Sequence, residues 1–221
     1  MAANTDLRTM SMTDIVTAAW SMRDKIDLTG IGYGRISWGN GQDVITDPFP
    51  YYFFLAGMVR LTGASHIAEV GTHQGGSAKA MAAGLGDRPG KIVTFDVKNE
   101  GVNSIGEHPV VKPFQCDANG EQAYRVCLHE FGGNKIDFAY IDTEHRFWPT
   151  VISAILYGEM LAADFMVLDD ITLNDEMKEF WALIRQRYGD DNTIDASVLY
   201  PQIRMSGEPR PGFGVVRLHN R

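Results

Sequence analysis

Cysteine and clustered positive charge are scarce in this sequence, and their scarcity argues against two broad classes of protein. The chain of 221 residues has two cysteines, Cys116 and Cys127, which do not form a C-x-x-C pair. We therefore expect no disulfide framework and two reduced, partly buried thiols. Lysine and arginine together number 20 against 28 acidic residues, which gives a formal net charge of −8. They form no cluster, so extended binding to a nucleic-acid backbone is not expected either.

Long apolar runs, internal repeats and low-complexity segments are also missing. The longest aromatic and apolar run, residues 51–59, is too short to span a bilayer. The first residues lack the basic flank and apolar core of an export signal. Hydrophobic residues make up 44% of the chain and charged residues 22%, as in a folded globular protein. We expect a soluble, cytoplasmic protein with one domain and a modest extension, and without contact to a membrane.

The central part of the chain predicts an α/β fold with a parallel sheet. From about residue 66, short β-rich runs alternate with helical patterns, which is typical of βαβ units. The predicted strands are residues 66–69, 91–95, 110–115, 136–141 and 165–168, and the predicted helices are residues 77–85, 121–131, 148–160 and 175–188. Ser77 is the expected N-cap of the first of these helices. In residues 148–160 the apolar positions are expected to share one face.

The two ends of the chain follow other patterns. Residues 197–205 and 212–218 are strand-like and enclose "SGEPRPG" without a helix, which predicts a final antiparallel pair. Near the start, an Asn40-Gly41 turn with alternating flanks predicts a hairpin, and residues 51–61 predict an aromatic-rich helix. We interpret residues 1–60 as an extension that forms a substrate lid or a dimer contact. Residues 61–221 then form the main domain.

The segment "AEVGTHQGGSA" predicts a loop that holds a ligand. Glycines between a strand and a helix let the backbone approach a ligand closely and direct amide groups at it. A dinucleotide fingerprint reads G-x-G-x-x-G, whereas this chain reads G-T-H-Q-G-G and lacks the second glycine. Glu69, two residues before Gly71, would repel a pyrophosphate but would suit an ammonium group. His73 is expected to pack or to hydrogen-bond near the ligand.

Acids after the next two strands indicate a nucleoside. Asp96 follows the second strand, where an acid accepts hydrogen bonds from ribose hydroxyls. Asp117 follows the third strand and could reach an adenine amine. A ligand with a ribose, an adenine and an ammonium group but no phosphate is S-adenosylmethionine. The predicted cofactor-binding residues are Glu69, Gly71, Thr72, Gly75, Ser77, Asp96, Asp117 and Asp142.

The ends of the fourth and fifth strands predict a metal site. Asp142 follows one strand, and Asp169 with Asp170 follows the other. Neighbouring strands lie about 5 Å apart, so these carboxylates would crowd and need a divalent cation such as Mg²⁺, Ca²⁺ or Mn²⁺. The predicted catalytic residues are Asp142 and His145. His145 is expected to take the proton of a substrate hydroxyl. One of the paired acids could instead cap the following helix, and Trp148 is expected in the core or in a wall of the site.

Taken together, these motifs resemble the class I S-adenosylmethionine-dependent methyltransferases over about residues 50–218. "AEVGTHQGGSA" is similar to their cofactor loop, "VTFDV" to the strand with the ribose-binding acid, and "YIDTEH" with "MVLDDI" to the acidic motifs of metal-dependent O-methyltransferases. The macrocin-type and related natural-product sugar O-methyltransferases look most similar. The resemblance implies a Rossmann-like, doubly wound sheet of seven strands with an antiparallel C-terminal strand. It also implies Mg²⁺ at Asp142, Asp169 and Asp170, with His145 as the base.

The leading functional hypothesis is methyl transfer from S-adenosylmethionine to a hydroxyl of a small molecule, a natural product or a sugar. A divalent metal would hold and activate the acceptor oxygen. Cephalosporin-hydroxylase-like enzymes share the motifs, so that reaction is an alternative. A nicotinamide-dependent oxidoreductase is another, although the glycine spacing counts against it. A non-catalytic nucleoside-binding protein is the third, and homo-oligomers are compatible with each hypothesis.

Overall fold

A seven-stranded sheet runs through the centre of the structure, with helices packed on both of its faces. The computed structural model describes residues 6–32, 34–36, 43–133, 135–203 and 212–218. The strands are β1 (Gly34–Ile36), β2 (Asp43–Ile45), β3 (His66–Val70), β4 (Lys91–Asp96), β5 (Val111–Gln115), β6 (Phe138–Ile141), β7 (Phe165–Leu168), β8 (Thr193–Asp195) and β9 (Gly214–Arg217). The α-helices are α1 (Met12–Ser21), α2 (Pro50–Thr62), α3 (Gly76–Leu85), α4 (Glu100–Ile105), α5 (Glu121–Glu130), α6 (Phe147–Ser153), α7 (Asp175–Tyr188) and α8 (Ala196–Leu199).

The strand order in the large sheet is β5-β4-β3-β6-β7-β9-β8. Strands β3 to β7 are parallel, and β9 is antiparallel to both β7 and β8. Every residue of β6 and β7 is buried, as expected for parallel strands covered on both faces. The five parallel strands, the mostly parallel seven-stranded sheet and the antiparallel C-terminal strand are all confirmed.

The core lies on the two faces of this sheet. On one face, α5, α6 and α7 cover side chains such as Phe95 and Met166. On the other face, α1, α2, α3 and α8 cover side chains such as Ile67 and Tyr140. Helices α2 and α3 touch closely, since a Cβ atom at Gly84 would lie 2.4 Å from the carbonyl oxygen of Ala56. A larger residue at that position would push the two helices apart.

The N-terminal region contains the predicted hairpin and the predicted aromatic helix. β1 and β2 pair antiparallel, with Gly34 opposite Ile45, while the Asn40-Gly41 turn lies outside the described residues. The predicted helix 51–61 is confirmed as α2. The expected boundary between residues 60 and 61 falls inside this helix, and the division into extension and main domain stays a prediction.

The C-terminal region differs from the sequence prediction in one element. Residues 197–203 are not a strand, because α8 and a 3₁₀ turn, Pro201–Ile203, occupy them. The Asp195 side chain accepts a 3.0 Å hydrogen bond from the Ser197 amide and so caps the helix. The antiparallel partner of β9 is the short strand β8 just before that cap. The predicted antiparallel pair is confirmed, with its first strand misplaced.

The predicted helix 148–160 divides into α6 and a π-helix, Ala154–Met160. The wider π turns rotate the side chains relative to a regular helix, so the expected single buried face does not form. Ile152, Ile155 and Met160 are 45%, 44% and 58% exposed. Trp148 is 69% exposed, so its expected place in the core is wrong. Among the residues that the structure describes, no helix has the length and apolar character needed to cross a bilayer.

Candidate active site

A cleft of about 480 Å³ opens where β3, β4, β5 and β6 end. Its wall includes Gly71, His73, Asp96, Asp117, Asp142 and Pro149. Ligands in open α/β sheets bind at this edge, outside the carboxyl ends of the strands. Four members of the predicted cofactor set, Gly71, Asp96, Asp117 and Asp142, therefore line one cavity. Sequence separation between them is large, and the parallel sheet brings them together.

Gly71 lies at the point where three strands converge. Its φ angle is +94°, and a Cβ atom there would lie 2.0 Å from the carbonyl oxygen of Asp142. The amides of Gly71 and Thr72 donate hydrogen bonds of 2.9 and 3.2 Å to the carbonyl of Phe95. Only glycine has both the backbone freedom and the small size that this contact requires. The loop is thereby held against the ends of β4 and β6.

Asp96 and Asp117 both lie in the wall of the cleft, as their positions at the ends of β4 and β5 predicted. The carboxylate of Asp96 accepts hydrogen bonds from the amides of His73 at 2.8 Å and Lys98 at 2.9 Å. The carboxylate of Asp117 accepts one from the amide of Asn119 at 2.9 Å. These bonds orient both carboxylates and leave lone pairs for a ligand, because each carboxylate oxygen accepts more than one hydrogen bond.

Glu69 is placed differently from the sequence interpretation, which set its carboxylate beside the ligand. The side chain is completely buried and does not line the cleft. One of its oxygens accepts a 2.5 Å hydrogen bond from the Ser77 hydroxyl, and the other accepts a 2.5 Å bond from the Thr94 hydroxyl. The Thr94 hydroxyl is also 2.6 Å from that of Thr72. We call these four residues the Glu69 network.

The Glu69 network has two consequences for the loop. Burial raises the pKa of Glu69 to about 8, which favours the protonated form near pH 7. In that form the Thr94 hydroxyl accepts the carboxyl proton and donates its own to Thr72, 2.6 Å away. A neutral acid does not provide the negative charge that was expected to face an ammonium group. Helix α3 begins at Gly76 with Gly75 in the N-cap position, at φ +78°, so Ser77 is not the cap. Its hydroxyl instead ties the first turn of α3 to β3.

The second group of predicted residues gathers at the ends of β6 and β7. The Nε2 atom of His145 lies 3.2 Å from Oδ1 of Asp142 and 3.3 Å from Oδ2 of Asp170. Asp142, His145 and Asp169 each offer a ligand atom, and these atoms all lie within 4.8 Å of one another. We call Asp142, His145, Asp169 and Asp170 the acidic cluster. Since Asp142 also lines the cleft, the cleft and the cluster are adjacent.

The electrostatics of the acidic cluster follow from crowding. Burial, and then the charges of Asp142 and Asp170, raise the pKa of Asp169 well above its usual range. The Tyr140 hydroxyl lies below the cluster, 3.5 Å from Oδ2 of Asp142 and 3.4 Å from Oδ2 of Asp169. Burial by itself lowers the pKa of His145, but the carboxylates of Asp142 and Asp170 outweigh it, so the net shift is upward. The cluster thus attracts positive charge.

Comparison with known proteins identifies the family of this chain. The sequence model of the O-methyltransferase family matches residues 52–199. The chain belongs to the O-methyltransferase family. The matched segment of this O-methyltransferase contains the glycine loop, the cleft and the whole acidic cluster. The predicted membership of the S-adenosylmethionine-dependent methyltransferases, and with it the assignment as an enzyme, is confirmed. A search of curated protein sequences gives no significant match.

Solved structures share the fold of this O-methyltransferase at low sequence identity. Cofactor-bound Rv0187 from MTB has a TM-score of 0.60 and 17% identity over 94% of this chain and 91% of its own. An O-methyltransferase from Bacillus cereus in complex with SAH has a TM-score of 0.56 and 15% identity, over 93% and 91% of the two chains. TomG from Streptomyces achromogenes, an O-methyltransferase involved in tomaymycin synthesis and solved with SAM, has a TM-score of 0.56 and 17% identity, over 97% and 93%.

Three side chains that support the site of the O-methyltransferase were missed in the sequence. Tyr140 and Thr94 lie in buried strands that read as apolar runs, so no pattern marked them. Asn174 had a signal, because it directly precedes the predicted helix 175–188 and asparagine is a preferred N-cap. Its side chain accepts a 2.9 Å bond from the Met177 amide and caps α7. Neither Asp169 nor Asp170 is therefore the cap of that helix.

Asn174 also contacts the backbone of His145. Its amide nitrogen donates a 2.9 Å hydrogen bond to the carbonyl oxygen of His145. His145 and Asp170 both have left-handed backbones, with φ of +55° and +56°. Residues other than glycine adopt this region at a cost, and such strain concentrates at functional sites. The contact between α7 and the loop after β6 holds the backbone of His145 in place.

The donor set of the acidic cluster fits a divalent cation. Three carboxyl groups converge with one imidazole, and the Nε2 atom of His145 is buried without a hydrogen-bond partner among the described residues. Buried polar atoms almost always have a partner, and a water, an ion or a ligand supplies it where the protein does not. Carboxylate and imidazole are ligands for cations such as Mg²⁺, Mn²⁺ and Zn²⁺. The residues present therefore suit a metal ion.

Proposed function

We propose that this O-methyltransferase transfers the methyl group of S-adenosylmethionine to a hydroxyl group of a small molecule, a natural product or a sugar. A divalent cation, Mg²⁺ or a similar ion, takes part at the acidic cluster. The observation that carries the proposal is the position of Asp142. Its side chain lines the cleft and also belongs to the cluster. A methyl donor in the cleft and an acceptor oxygen at the cluster would therefore be neighbours.

In the donor site, Asp96 accepts hydrogen bonds from the ribose hydroxyls and Asp117 accepts one from the adenine amine. Gly71, Thr72 and Gly75 keep the loop backbone close to the cofactor. The bound SAM of TomG and the bound SAH of the Bacillus cereus protein support this use of the fold. Glu69 and Ser77 then act through the network that joins α3 to β3, since the carboxyl group of Glu69 is enclosed.

In the acceptor site, Asp142, Asp169 and Asp170 hold the cation. A bound divalent cation holds a substrate hydroxyl and lowers its pKa. The side chains of the cluster fix the acceptor oxygen relative to the methyl donor. This oxygen has to approach the methyl group in line, at about 3 Å. Two roles are open to His145: it can accept the hydroxyl proton, as the sequence predicts, or it can bind the cation.

Residues 1–60 are proposed to cover the acceptor and exclude water, or to form a dimer contact. The β1–β2 hairpin belongs to this region. A homo-oligomer and a cytoplasmic location stay predictions from the sequence. Gel filtration of the full chain tests the dimer contact. A dimer supports it, and a monomer contradicts it.

Calorimetry and a methyl-transfer assay test the proposed function. We expect the full chain to bind S-adenosylmethionine and S-adenosylhomocysteine and not to bind NADH or NADPH. We then expect methylation of members of a panel of sugars, phenols and polyketides, with loss of activity in chelator. Binding of a nicotinamide cofactor would instead favour the oxidoreductase hypothesis. Failure to bind S-adenosylmethionine would contradict the proposal.

A further inference from the structure

We propose that His145 binds the cation of the acidic cluster through Nε2, and that the site therefore prefers Mn²⁺, Fe²⁺, Co²⁺, Ni²⁺ or Zn²⁺ to Mg²⁺. This inference rests on the proposed function, since it names the class of metal at the same site. It differs from the sequence interpretation, which made His145 the base and Mg²⁺ the ion.

The first observation is the state of the Nε2 atom. It is buried and has no hydrogen-bond partner among the described residues. Its neighbours are Oδ1 of Asp142 at 3.2 Å and Oδ2 of Asp170 at 3.3 Å, both within ion-pair distance. Two carboxylates from separate strand ends therefore converge on this nitrogen. A cation among them would contact the nitrogen and the carboxylates together.

The distances agree with shared ligation. Two ligand atoms at right angles on one cation, each bound at about 2.1 Å, lie about 3 Å apart. The separations of 3.2 and 3.3 Å from Nε2 are close to this value. Ligand atoms of Asp142, His145 and Asp169 also lie within 4.8 Å of one another, so one ion can contact all three.

The orientation of the imidazole argues against a role as base. A base directs its lone pair at the hydroxyl that loses a proton. Here Nε2 lies within 3.3 Å of two carboxylate oxygens, a place where a cation is favoured. The contact from Asn174 to the His145 carbonyl, at 2.9 Å, and the left-handed backbone hold this orientation. The imidazole therefore completes the ligand set instead of facing the acceptor.

The chemical class of the metal follows from the ligands. Sites made only of carboxylate, carbonyl and water suit Mg²⁺ and Ca²⁺, whereas imidazole suits Zn²⁺, Cu²⁺, Fe²⁺ and Ni²⁺. A site with one imidazole and several carboxylates favours divalent ions that bind both nitrogen and oxygen ligands. Affinity should accordingly rise from Mn²⁺ to Co²⁺ and Ni²⁺.

Metal titration of the metal-free full chain tests the inference. Co²⁺ binding is followed by visible absorption and by the hyperfine-shifted imidazole N–H proton in NMR, and Mg²⁺ binding by calorimetry. Wild type should bind Co²⁺ at least about tenfold more tightly than Mg²⁺. His145→Ala and His145→Asn should lose the shifted N–H signal and at least about tenfold in Co²⁺ affinity. The matched control is His129→Ala, since His129 is an exposed histidine outside the cluster.

Binding of S-adenosylmethionine, measured on each variant, shows that the variant is folded. If folded His145 variants keep the wild-type affinity for Co²⁺, the ligand role is wrong. Equal affinity of wild type for Co²⁺ and Mg²⁺, or no Co²⁺ binding, also overturns the inference. Absence of S-adenosylmethionine binding in wild type would instead contradict the proposed function, and the Co²⁺ titration can be read without it.

Discussion

The Glu69 network and the acidic cluster both contain acidic side chains, but these side chains have different partners in the two places. In the Glu69 network, two hydroxyl groups donate to one carboxyl group, and burial raises its pKa to about 8. In the acidic cluster, three carboxyl groups meet one imidazole whose Nε2 has no hydrogen-bond partner among the described residues. The first arrangement is complete within the protein, so it serves the fold. The second gathers carboxylates around an imidazole, and we propose that it serves to bind a cation.

The comparison also separates the two substrates of the proposed reaction. The cleft beside the Glu69 network presents carboxylates oriented by backbone amides, as at Asp96 and Asp117. Such acceptors suit hydroxyl and amine groups of a nucleoside. The acidic cluster presents charge, and charge suits an ion. The predictions below test this difference.

Asp142→Asn should have the largest effect. The substitution removes a ligand shared by the cleft and the cluster, so we expect kcat/KM for methyl transfer to fall at least about 100-fold. The free energy of unfolding should stay the same or rise, because one of the crowded negative charges is removed. Initial rates and thermal unfolding measure the two effects. Asp175→Asn is the matched control, since Asp175 is fully exposed at the start of α7. Retained activity in Asp142→Asn without metal would contradict the metal site.

Glu69→Ala should act on stability. It leaves the hydroxyls of Ser77 and Thr94 without their acceptor and opens a cavity, at a cost of about 2–4 kcal/mol in the free energy of unfolding. Glu69→Gln keeps the shape and one acceptor oxygen, and the Thr94 hydroxyl can accept from the new amide while it donates to Thr72. This substitution should cost less than about 1 kcal/mol. Urea unfolding at pH 7 measures both. Equal losses in the two variants would mean that the charge of Glu69 matters after all.

The pH dependence of stability gives a separate test of Glu69. Its pKa rises from an ordinary 4.5 to about 8 on folding, so the folded state keeps a proton that the unfolded state releases. The contribution of this group is therefore full below the unfolded pKa and is lost as pH rises towards the folded one. Wild type should lose more stability than Glu69→Gln between pH 5 and pH 8, as measured by urea unfolding. Parallel pH profiles would show that the group is ionised throughout.

Asn174→Ala should have the smallest effect on stability, about 1 kcal/mol from the lost N-cap of α7. Activity should fall as well, because the bond to the His145 carbonyl is lost. Asn174→Ser keeps a capping oxygen but not the amide donor, so it should lose activity while keeping most of the stability. Urea unfolding and initial rates separate the two contributions. Full activity in both variants would show that the bond does not position His145.

Local patterns were enough for the placement of most of the site. The strand-end acids Asp96, Asp117 and Asp142 were found because short apolar runs mark strands, and parallel strands end at one edge of a sheet. The capping oxygen of Asp195 was overlooked, so a strand was predicted where α8 forms. The exposure of Ile155 was missed because a π-helix gives no periodic signal in a short segment.

The sequence by itself determined the alternation of strands and helices, the glycine loop and the order of the acids along the sheet edge, because each depends on neighbours in the chain. Tertiary structure alone decided which acid is enclosed with a raised pKa and which acids surround the imidazole. Glu69 is enclosed because Thr94 from β4 and Ser77 from α3 meet it, and Nε2 of His145 lies among carboxylates from two strands. Hydrogen bonding and desolvation depend on groups that are far apart in sequence, so a local pattern does not contain them.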